Sequence, residues 1–368
     1  MFAEGLARLE HRIRPFIANL SPGVQAKIFS AGRRHFLELL AHESVPKYEP
    51  DKSLERVLWG VPHQGPLMWA AGVDKAGKLY HVSANQGAAA HMVGTTTAES
   101  WKGNVKDGIR NPFVPLSASG NALNWLGLPN EGHEVVAGRV LAYRRQKKCP
   151  VWASVMETPD KELPYEKKRD GVLAGFRAYE GAKVHVLERN KSCPNTAHAQ
   201  GDFKNDLMYE SERFVRESSI PVGVKLSIDT KVGDVPAVLD VLFELGYKFV
   251  NFGNSSTDYT RAREKLSAGE KEVFDFFTRN FGGGFTGRAL KDKSLELCAR
   301  AVEYVKAGGP GCEFHVVRTG GVERGLDLVE SDQAGVSMNQ WVTGYWGNFG
   351  KHGHRAYQKI LREYERAK

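Results

Sequence analysis

The sequence predicts an α/β protein, a (β/α)8 barrel (TIM barrel) with an N-terminal helical extension. The barrel is predicted because, from about residue 57 onward, short apolar runs alternate with helix-length segments in about eight successive units. The extension is predicted because residues 1–50 carry apolar residues at helical spacing instead. We therefore expect residues 1–50 to form an amphipathic helical pair and residues 51–368 to form the barrel.

Length and composition fit this architecture. The chain has 368 residues, of which 41% are hydrophobic and 26% charged, and its formal net charge is +8. Such a composition excludes a disordered, collagen-like or coiled-coil protein for most of the chain. The excess of positive charge is typical of a protein that binds a phosphorylated or polyanionic ligand or an anionic membrane face. It can equally serve solubility alone.

The sequence also indicates an intracellular protein. Charges interrupt the apolar residues of the opening stretch MFAEGLARLEHRIRPF, which is therefore not typical of a secretion signal. No run approaches the roughly 18 apolar residues that cross a membrane. A chain of this length needs no disulfide bonds, so the four cysteines are expected to be thiols. We expect a cytoplasmic protein, or one that associates peripherally with a membrane.

Residues 1–50 predict two amphipathic helices joined by a short turn. Apolar side chains recur every three or four positions from Phe2 to Leu20 and again from Val24 to Leu40, with a break at Ser21-Pro22-Gly23. Arginines and lysines lie among them. Two interpretations remain open: the pair packs on the main domain, or it lies on a membrane surface.

The predicted barrel strands are the apolar runs that end near Val73, Gly94, Val155, Glu188, Leu226, Phe252, Val317 and Gln340. Helices are predicted between several of them, at Glu131–Gln146, Glu166–Tyr179, Val235–Leu245 and Lys291–Val305, and near the end at Tyr357–Ala367. A doubly wound sheet is the competing fold. It usually has a glycine-rich fingerprint after its first strand, which AAGVDKAGK does not match.

Polar residues follow the predicted strands, where a barrel carries its functional side chains. Asparagine is prominent among them, and an asparagine amide offers both donors and an acceptor. This set is suited to an anionic heterocycle. The residues are Lys75, Thr95, Asn124, Ser154, Asn190, Asn195, Lys225, Asn254, Ser255, Gly320, Gly321 and Thr343.

Two glycine-rich loops predict a phosphate site. VVRTGGVERG (Val316 to Gly325) has a glycine pair between a strand and a helix start, and GGGFTGR (Gly282 to Arg288) lies just upstream. In barrels, the loops after the seventh and eighth strands commonly bind phosphate through backbone N–H groups. Flexible loops are the alternative interpretation.

Cys193 lies in the polar loop NKSCPNT (Asn190 to Thr196), which favours an exposed, reactive thiol over a buried hydrophobic cysteine. Such a thiol could serve as a nucleophile or a general base. The cysteines lack metal-site spacing, so we expect no structural zinc or iron–sulfur site within the chain.

Eight motifs in order resemble dihydroorotate dehydrogenase, an FMN-dependent barrel enzyme of pyrimidine synthesis. They are WAAGVDKAG, GTTT, NWLGLPNEG, NKSCPNT, PVGVKLS, VNFGNSS, GGFTGR and RTGGV. The resemblance extends from about residue 57 to 350. It implies oxidation of dihydroorotate to orotate, with FMN as cofactor.

The resemblance also implies roles for individual residues. Cys193 would remove the C5 proton of the substrate while C6 passes a hydride to the flavin. The substrate would be held by Lys75, Asn124, Leu126, Gly127, Leu128, Asn190, Asn195, Asn254 and Ser255. FMN would be held by Ala71, Gly72, Thr95, Ser154, Asn190, Lys225, Gly287, Gly320, Gly321 and Thr343.

The chain mixes features of two branches of that family. Cysteine at the base position and GLPN (Gly127 to Asn130) are similar to the soluble branch, whereas the helical pair is similar to the extension that forms the quinone tunnel in the membrane-bound branch. The electron acceptor therefore stays open between quinone, fumarate and NAD. Ala197-His198 replaces the family's Pro-Gly after the base loop, and Arg318, in place of a small residue, either contacts the FMN phosphate or faces solvent.

Three other functions compete with this interpretation. A tRNA-dihydrouridine synthase shares the barrel, FMN and a Cys-Pro loop, but no RNA-binding domain is visible and we expect no nucleic-acid partner. A dihydropyrimidine dehydrogenase-like enzyme would act on uracil, but Lys75 favours a carboxylated ring. A non-catalytic flavin-binding paralogue would lack turnover. The oligomeric state is not predicted.

Overall fold

The computed structural model describes residues 2–192 and 203–368, and its centre is a ring of parallel strands. The strands are β1 (Arg56–Leu58), β2 (Val61–His63), β3 (Leu67–Trp69), β4 (His91–Thr96), β5 (Val105–Lys106), β6 (Ile109–Arg110), β7 (Phe113–Leu116), β8 (Asn121–Asn124), β9 (Val151–Val155), β10 (Val186–Asn190), β11 (Val222–Leu226), β12 (Phe249–Phe252), β13 (Gly284–Gly287), β14 (His315–Thr319) and β15 (Met338–Trp341).

Helices surround the ring. They are α1 (Phe2–Ile17), α2 (Pro22–Ala41), α3 (Tyr80–Gln86), α4 (His133–Leu141), α5 (Tyr165–Gly181), α6 (Phe203–Glu210), α7 (Val235–Glu244), α8 (Tyr259–Glu264), α9 (Lys271–Asn280), α10 (Lys291–Gly308), α11 (Gly325–Gln333), α12 (Thr343–His352) and α13 (Ala356–Ala367).

The predicted (β/α)8 barrel is confirmed. Eight strands pair in the order β3-β15-β14-β12-β11-β10-β9-β4, and every pairing is parallel. A parallel bridge between Asp74 and Val93 joins the two ends of this order. The first strand ends at Trp69 and not near Val73, because Gly72 adopts a left-handed φ of +111° that interrupts the extended backbone.

The interior of the barrel is layered. One layer is apolar and contains Met68, Met92, Trp152, Val186, Phe249, Val317 and Met338. Two positions further along several strands, the inward side chains are polar, and these are Glu188, Lys225, Asn251, Thr319 and Gln340. The hairpin of β1 and β2 closes the barrel at the start of the strands. Trp59, between these two strands, contacts Trp152 and Phe249 of the apolar layer.

A second, three-stranded antiparallel sheet, β13-β8-β7, brings distant segments to the opposite end of the barrel. It pairs Gly284 with Asn124 and Gly287 with Asn121. A further bridge joins Phe285 to Ser256, just past the end of β12. This sheet, which the sequence did not predict, places Asn124 beside the carboxyl ends of the barrel strands.

The helical pair α1 and α2 packs on the barrel and still exposes an apolar face. Ala3 and Ala7 of α1 and Leu40 of α2 are buried in a cluster shared with α12 and α13. Phe36 contacts the rings of Trp346 and Phe349. The outer face carries exposed Phe2, Leu6, Leu9, Ile13, Phe16, Leu20, Val24 and Ile28. Within the described residues, none of the helices combines the length and apolarity that a membrane-spanning segment needs.

Candidate active site

Side chains at the carboxyl ends of three neighbouring strands form a hydrogen-bonded row. The hydroxyl groups of Thr95 on β4 and Ser154 on β9 lie 3.0 Å apart. Asn190, the last residue of β10, donates from Nδ2 to Thr95 Oγ1 at 3.0 Å. All three residues are buried, so each is held in one position by its neighbours. Part of the polar set that the sequence singled out therefore meets at one place.

The row continues across β12 to the second sheet. Asn254 Nδ2 lies 3.4 Å from Asn190 Oδ1 and donates to Ser192 Oγ at 3.0 Å. The backbone N–H of Ser255 donates to Asn254 Oδ1 at 2.9 Å. Asn124 Nδ2 in turn donates to Ser255 Oγ at 3.1 Å and to the Gly284 carbonyl at 3.2 Å. Six predicted site residues thus form one continuous chain of contacts from Ser154 to Asn124.

Two predicted site residues, Cys193 and Asn195, lie outside the described residues, so their positions are not part of this geometry. The chain is described up to Ser192, the residue before Cys193. Asn190 accepts through Oδ1 from the Ser192 backbone N–H at 3.3 Å, and Asn254 contacts the Ser192 hydroxyl. The polar row therefore fixes the point where the chain enters the Cys193 loop.

Lys75 follows the first strand, in a loop held by its neighbour Asp74. Asp74 is buried and accepts hydrogen bonds from the backbone N–H groups of Lys78 and Leu79, at 3.0 and 2.7 Å. His91 Nε2 lies 3.2 Å from the same carboxylate. Burial raises the pKa of Asp74, but the nearby His91 and the two backbone N–H groups outweigh it, so the net pKa is lowered.

The segment Leu126–Leu128 turns sharply beside Asn124. Gly127 and Leu128 both have positive φ, +69° and +57°, and a Cβ on Gly127 would collide with Asn104. The Leu126 carbonyl accepts from Asn111 Nδ2 at 3.0 Å. The backbone of this predicted substrate contact is therefore held in one conformation.

Backbone N–H groups that could bind an anion lie on the other side of the barrel mouth. Within the described chain, the N–H groups of Gly320, Gly321 and Val322 donate to no backbone carbonyl. The first turn of α12, starting at Thr343, has unpaired N–H groups by the geometry of any helix start. A Cβ on Gly344 would lie 2.2 Å from the Val322 carbonyl, so the two segments touch. Their combined donors suit a phosphate.

The remaining predicted cofactor residues line the same rim. Thr343 Oγ1 donates to Thr286 Oγ1 at 3.4 Å, and Gly287 has a left-handed φ of +123° with no room for a Cβ against the Gly120 carbonyl. Ala71 packs on the apolar layer, and the Gly72 N–H donates to the Gly94 carbonyl at 2.7 Å. The predicted residues that follow β3 and β14, end β13 and begin α12 thus lie near the carboxyl ends of the barrel strands.

Arg318 corrects one sequence expectation, because its side chain neither faces solvent nor lines the site. It is fully buried and donates to Ser294 Oγ at 2.9 Å, to Ser331 Oγ at 2.8 Å and to the carbonyls of Lys291 and Asp327 at 2.9 and 3.2 Å. Since inward and outward positions alternate along a strand, Arg318 points away from the inward Thr319. It ties β14 to α10 and α11.

The sequence predicted Lys225 but not the polar side chains around it, which form the polar floor of the barrel. Glu188, Asn251, Thr319 and Gln340 surround Lys225, whose Nζ lies 3.4 Å from Gln340 Oε1 and 4.0 Å from Glu188 Oε1. All except Thr319 are almost fully buried. The signal was present, because these polar residues interrupt strands that are otherwise apolar.

Among the described residues, no three His, Cys, Asp or Glu side chains are grouped so that they could hold a metal ion. Cys149, Cys298 and Cys312 are free thiols. Burial raises the pKa of Cys298 to about 12, which leaves it protonated and inert. The groups described at this end of the barrel are amides, hydroxyls, two lysines and backbone N–H donors.

Comparison with known proteins gives a family and a fold. The sequence model described as "Dihydroorotate dehydrogenase" matches residues 53–367. "Dihydroorotate dehydrogenase (quinone)" of Mycobacterium marinum is 29% identical over 326 residues, covering 85% of this chain and 81% of that protein. The protein of the same name from Streptomyces griseus is 30% identical over 303 residues, covering 80% and 76%.

Solved structures agree on the fold. The crystal structure of DHODH from Eimeria tenella in complex with ferulenol superposes with a TM-score of 0.73 at 19% identity, covering 90% of this chain and 89% of that one. The crystal structure of ligand-free type DHODH from the same organism superposes with a TM-score of 0.72 at 20% identity, covering 90% of this chain and 92% of that one.

Proposed function

The chain belongs to the dihydroorotate dehydrogenase family, and from that premise we propose that it oxidises dihydroorotate to orotate in pyrimidine biosynthesis. One observation carries the proposal: the continuous polar row from Ser154 to Asn124, in which Asn190 and Asn254 contact Ser192, the residue before Cys193. A row of amides and hydroxyls offers the alternating donors and acceptors that a pyrimidine ring requires.

FMN is the proposed cofactor, and the residues fit it. The N–H groups of Gly320–Val322 and of the α12 start form an anion site for its phosphate, while Lys225 supplies a buried cation for the edge of its ring. The polar groups of the ring would hydrogen-bond to Thr95 on β4, Ser154 on β9 and Asn190 on β10. When bound, FMN would accept the hydride that leaves C6 of dihydroorotate.

The proposed substrate contacts are assigned by chemistry. Asn124, Asn190, Asn254 and Ser255 would hydrogen-bond the ring, and Asn195 would join them from the loop that the structure leaves undescribed. Lys75 would bind the carboxylate, since a half-buried ammonium gains most from an anionic partner. Leu126–Leu128 would complete the pocket with its backbone.

Cys193 is proposed as the base. It would take the proton from C5 while the hydride leaves C6, and the double bond of orotate would form between these two carbons. A thiol needs a lowered pKa or concerted transfer to act near neutral pH. The attachment of Ser192 to Asn254 and Asn190 would hold the start of its loop toward the substrate.

Quinone is the proposed electron acceptor, at a membrane surface that α1 and α2 contact. The exposed apolar face of the pair supports this, since Phe2 and Phe16 are 73% and 74% exposed, and so does the word "quinone" in the relatives' names. Cysteine at the proposed base position is similar to the soluble branch of the family and therefore favours a soluble acceptor instead. An acceptor assay decides between the two.

The decisive experiment uses the purified full-length protein. It should be yellow, and anaerobic dihydroorotate should bleach the flavin with one orotate formed per FMN. The reduced protein is then offered ubiquinone, fumarate and NAD separately, and only ubiquinone should restore the colour rapidly. A colourless folded protein, or bleaching by dihydrouracil but not by dihydroorotate, would refute the proposal. Fast reoxidation by fumarate or NAD would refute the quinone assignment alone.

A further inference from the structure

We propose that Glu188 is a positioning residue that offsets the charge of Lys225 and thereby sets the reduction potential of bound FMN. The inference rests on the proposed function, because it assumes that Lys225 faces the flavin. It concerns a residue with no role in the assignments above. The carboxylate lies on the barrel floor beneath the proposed flavin site.

The environment of Glu188 holds its side chain in place. The residue is 0% exposed, and its Oε2 accepts hydrogen bonds from Asn251 Nδ2 at 2.7 Å and Gln340 Nε2 at 3.1 Å. Both donors are neutral amides. Two such hydrogen bonds fix the orientation of the carboxylate.

The second carboxylate oxygen points to Lys225. Glu188 Oε1 has no hydrogen-bond partner in the described chain, and it lies 4.0 Å from Lys225 Nζ, beyond a hydrogen bond but within the range of an ion pair. Leaving a buried carboxylate oxygen without a donor is costly. The nearby ammonium is the charge that makes this arrangement tolerable.

The amides that hold Glu188 are themselves fixed. Thr319 Oγ1 lies 2.9 Å from Asn251 Oδ1 and 2.9 Å from Gln340 Oε1, and its single proton can serve one of them. Gln340 Oε1 also accepts from Asn251 Nδ2 at 3.0 Å, so both amide oxygens can be paired while both nitrogens are directed to Glu188. The five side chains come from five successive neighbours in the barrel sheet, β10, β11, β12, β14 and β15. Such a network resists rearrangement when one charge changes.

The pair has a defined electrostatic consequence. Flavin reduction adds negative charge near the ring edge that Lys225 is proposed to meet, so the lysine favours the reduced cofactor. A carboxylate 4.0 Å from the ammonium cancels part of that effect, and burial weakens the screening by solvent. Glu188 therefore keeps the potential lower than Lys225 alone would set it, which helps electrons to leave the flavin.

The test compares midpoint potentials of FMN-loaded variants. Glu188→Gln keeps the shape of the side chain and removes its charge. We expect FMN to stay bound. Its affinity in the reduced form relative to the oxidised form should rise about tenfold, which raises the midpoint potential by about 30 mV for a two-electron couple. Glu188→Asp keeps the charge and should stay closer to the unmodified protein. Glu210→Gln is the matched control, since Glu210 is equally buried but pairs with Arg189.

A double variant separates a charge effect from a structural one. If Glu188 acts through Lys225, Glu188→Gln should shift the potential far less in a Lys225→Met background. An unchanged or lowered potential in Glu188→Gln, or an equal shift in both backgrounds, would overturn the inference. Glu188→Met is used if the glutamine variant does not fold. If dihydroorotate reduces the flavin and the potential does not move, this inference fails and the proposed function stands; a chain that binds no FMN overturns both.

Discussion

Asn124 and Ser255 are 131 positions apart in the sequence, yet Asn124 Nδ2 donates to Ser255 Oγ at 3.1 Å. The contact joins the small antiparallel sheet to the end of β12. It forms because β8 pairs with β13, and β13 is bridged to Ser256. The polar row of the proposed active site therefore depends on an insertion outside the barrel as much as on the barrel strands.

We predict that Cys193→Ala slows flavin reduction by dihydroorotate by about 10²- to 10⁴-fold, the usual contribution of a general base. FMN content should be unchanged, because the proposed cofactor contacts lie elsewhere. Anaerobic stopped-flow absorbance measures the rate. Cys312→Ala, which removes an exposed thiol, is the control and should react at the normal rate. Equal rates in the two variants would remove Cys193 as the base.

We predict that Ser294→Ala weakens FMN binding about three- to tenfold and leaves riboflavin binding unchanged. Ser294 Oγ accepts from Arg318 and donates to the Gly320 carbonyl at 2.8 Å, so its loss frees the loop that would bind the phosphate, a group that riboflavin lacks. Fluorescence titration of apoprotein with each flavin measures the ratio. Ser211→Ala, another buried serine bonded to a carbonyl, serves as control. An equal loss for riboflavin would contradict a phosphate-specific role.

We predict that replacing Phe2, Leu9 and Phe16 together by glutamine lowers the rate with ubiquinone at least about tenfold, because the three side chains would each lose the gain of apolar burial in a bilayer. Binding to anionic liposomes should fall in parallel, while reduction of a soluble dye should not change. Glutamine at Val135 and Leu141, exposed on α4, is the matched control. Substitution is preferable to deletion, since α1 and α2 also cover the core.

We predict that stability falls as the pH drops below 6.5, at about 1.4 kcal/mol per pH unit for each buried neutral histidine. Burial lowers the pKa of His133 to about 3, so between these values the unfolded chain binds a proton that the folded chain does not. His63 behaves similarly, with its pKa lowered to about 4. Urea unfolding of His133→Asn at several pH values between 4 and 6.5 should show a shallower slope. A slope equal to that of the unmodified protein would contradict the prediction.

The barrel could be predicted from the sequence because its strands are buried on both faces and stand out as short apolar runs. Strand ends at Val155, Leu226 and Phe252 match those of the structure. Residues that follow strands could also be predicted as a group, since parallel strands bring their carboxyl ends together.

Side-chain direction could not be predicted, since it depends on register. Glu188 and Arg318 are both polar residues in apolar strands, but one points into the barrel and the other points away from it. The contact between Asn124 and Ser255 depends on a sheet whose short strands carry no clear pattern. The role of Cys193 was implied by resemblance and stays a prediction.

Helix α12 connects two regions that carry different parts of the proposed function. Its first residue, Thr343, lies at the proposed phosphate site. Near its other end, Phe349 contacts Phe36 of α2, and Gly350 lies beside His11 of α1. If a membrane displaces α1 and the shift is passed along α12 to Thr343, the affinity for FMN changes. By thermodynamic reciprocity, the loaded and empty protein would differ in their affinity for the membrane by the same factor.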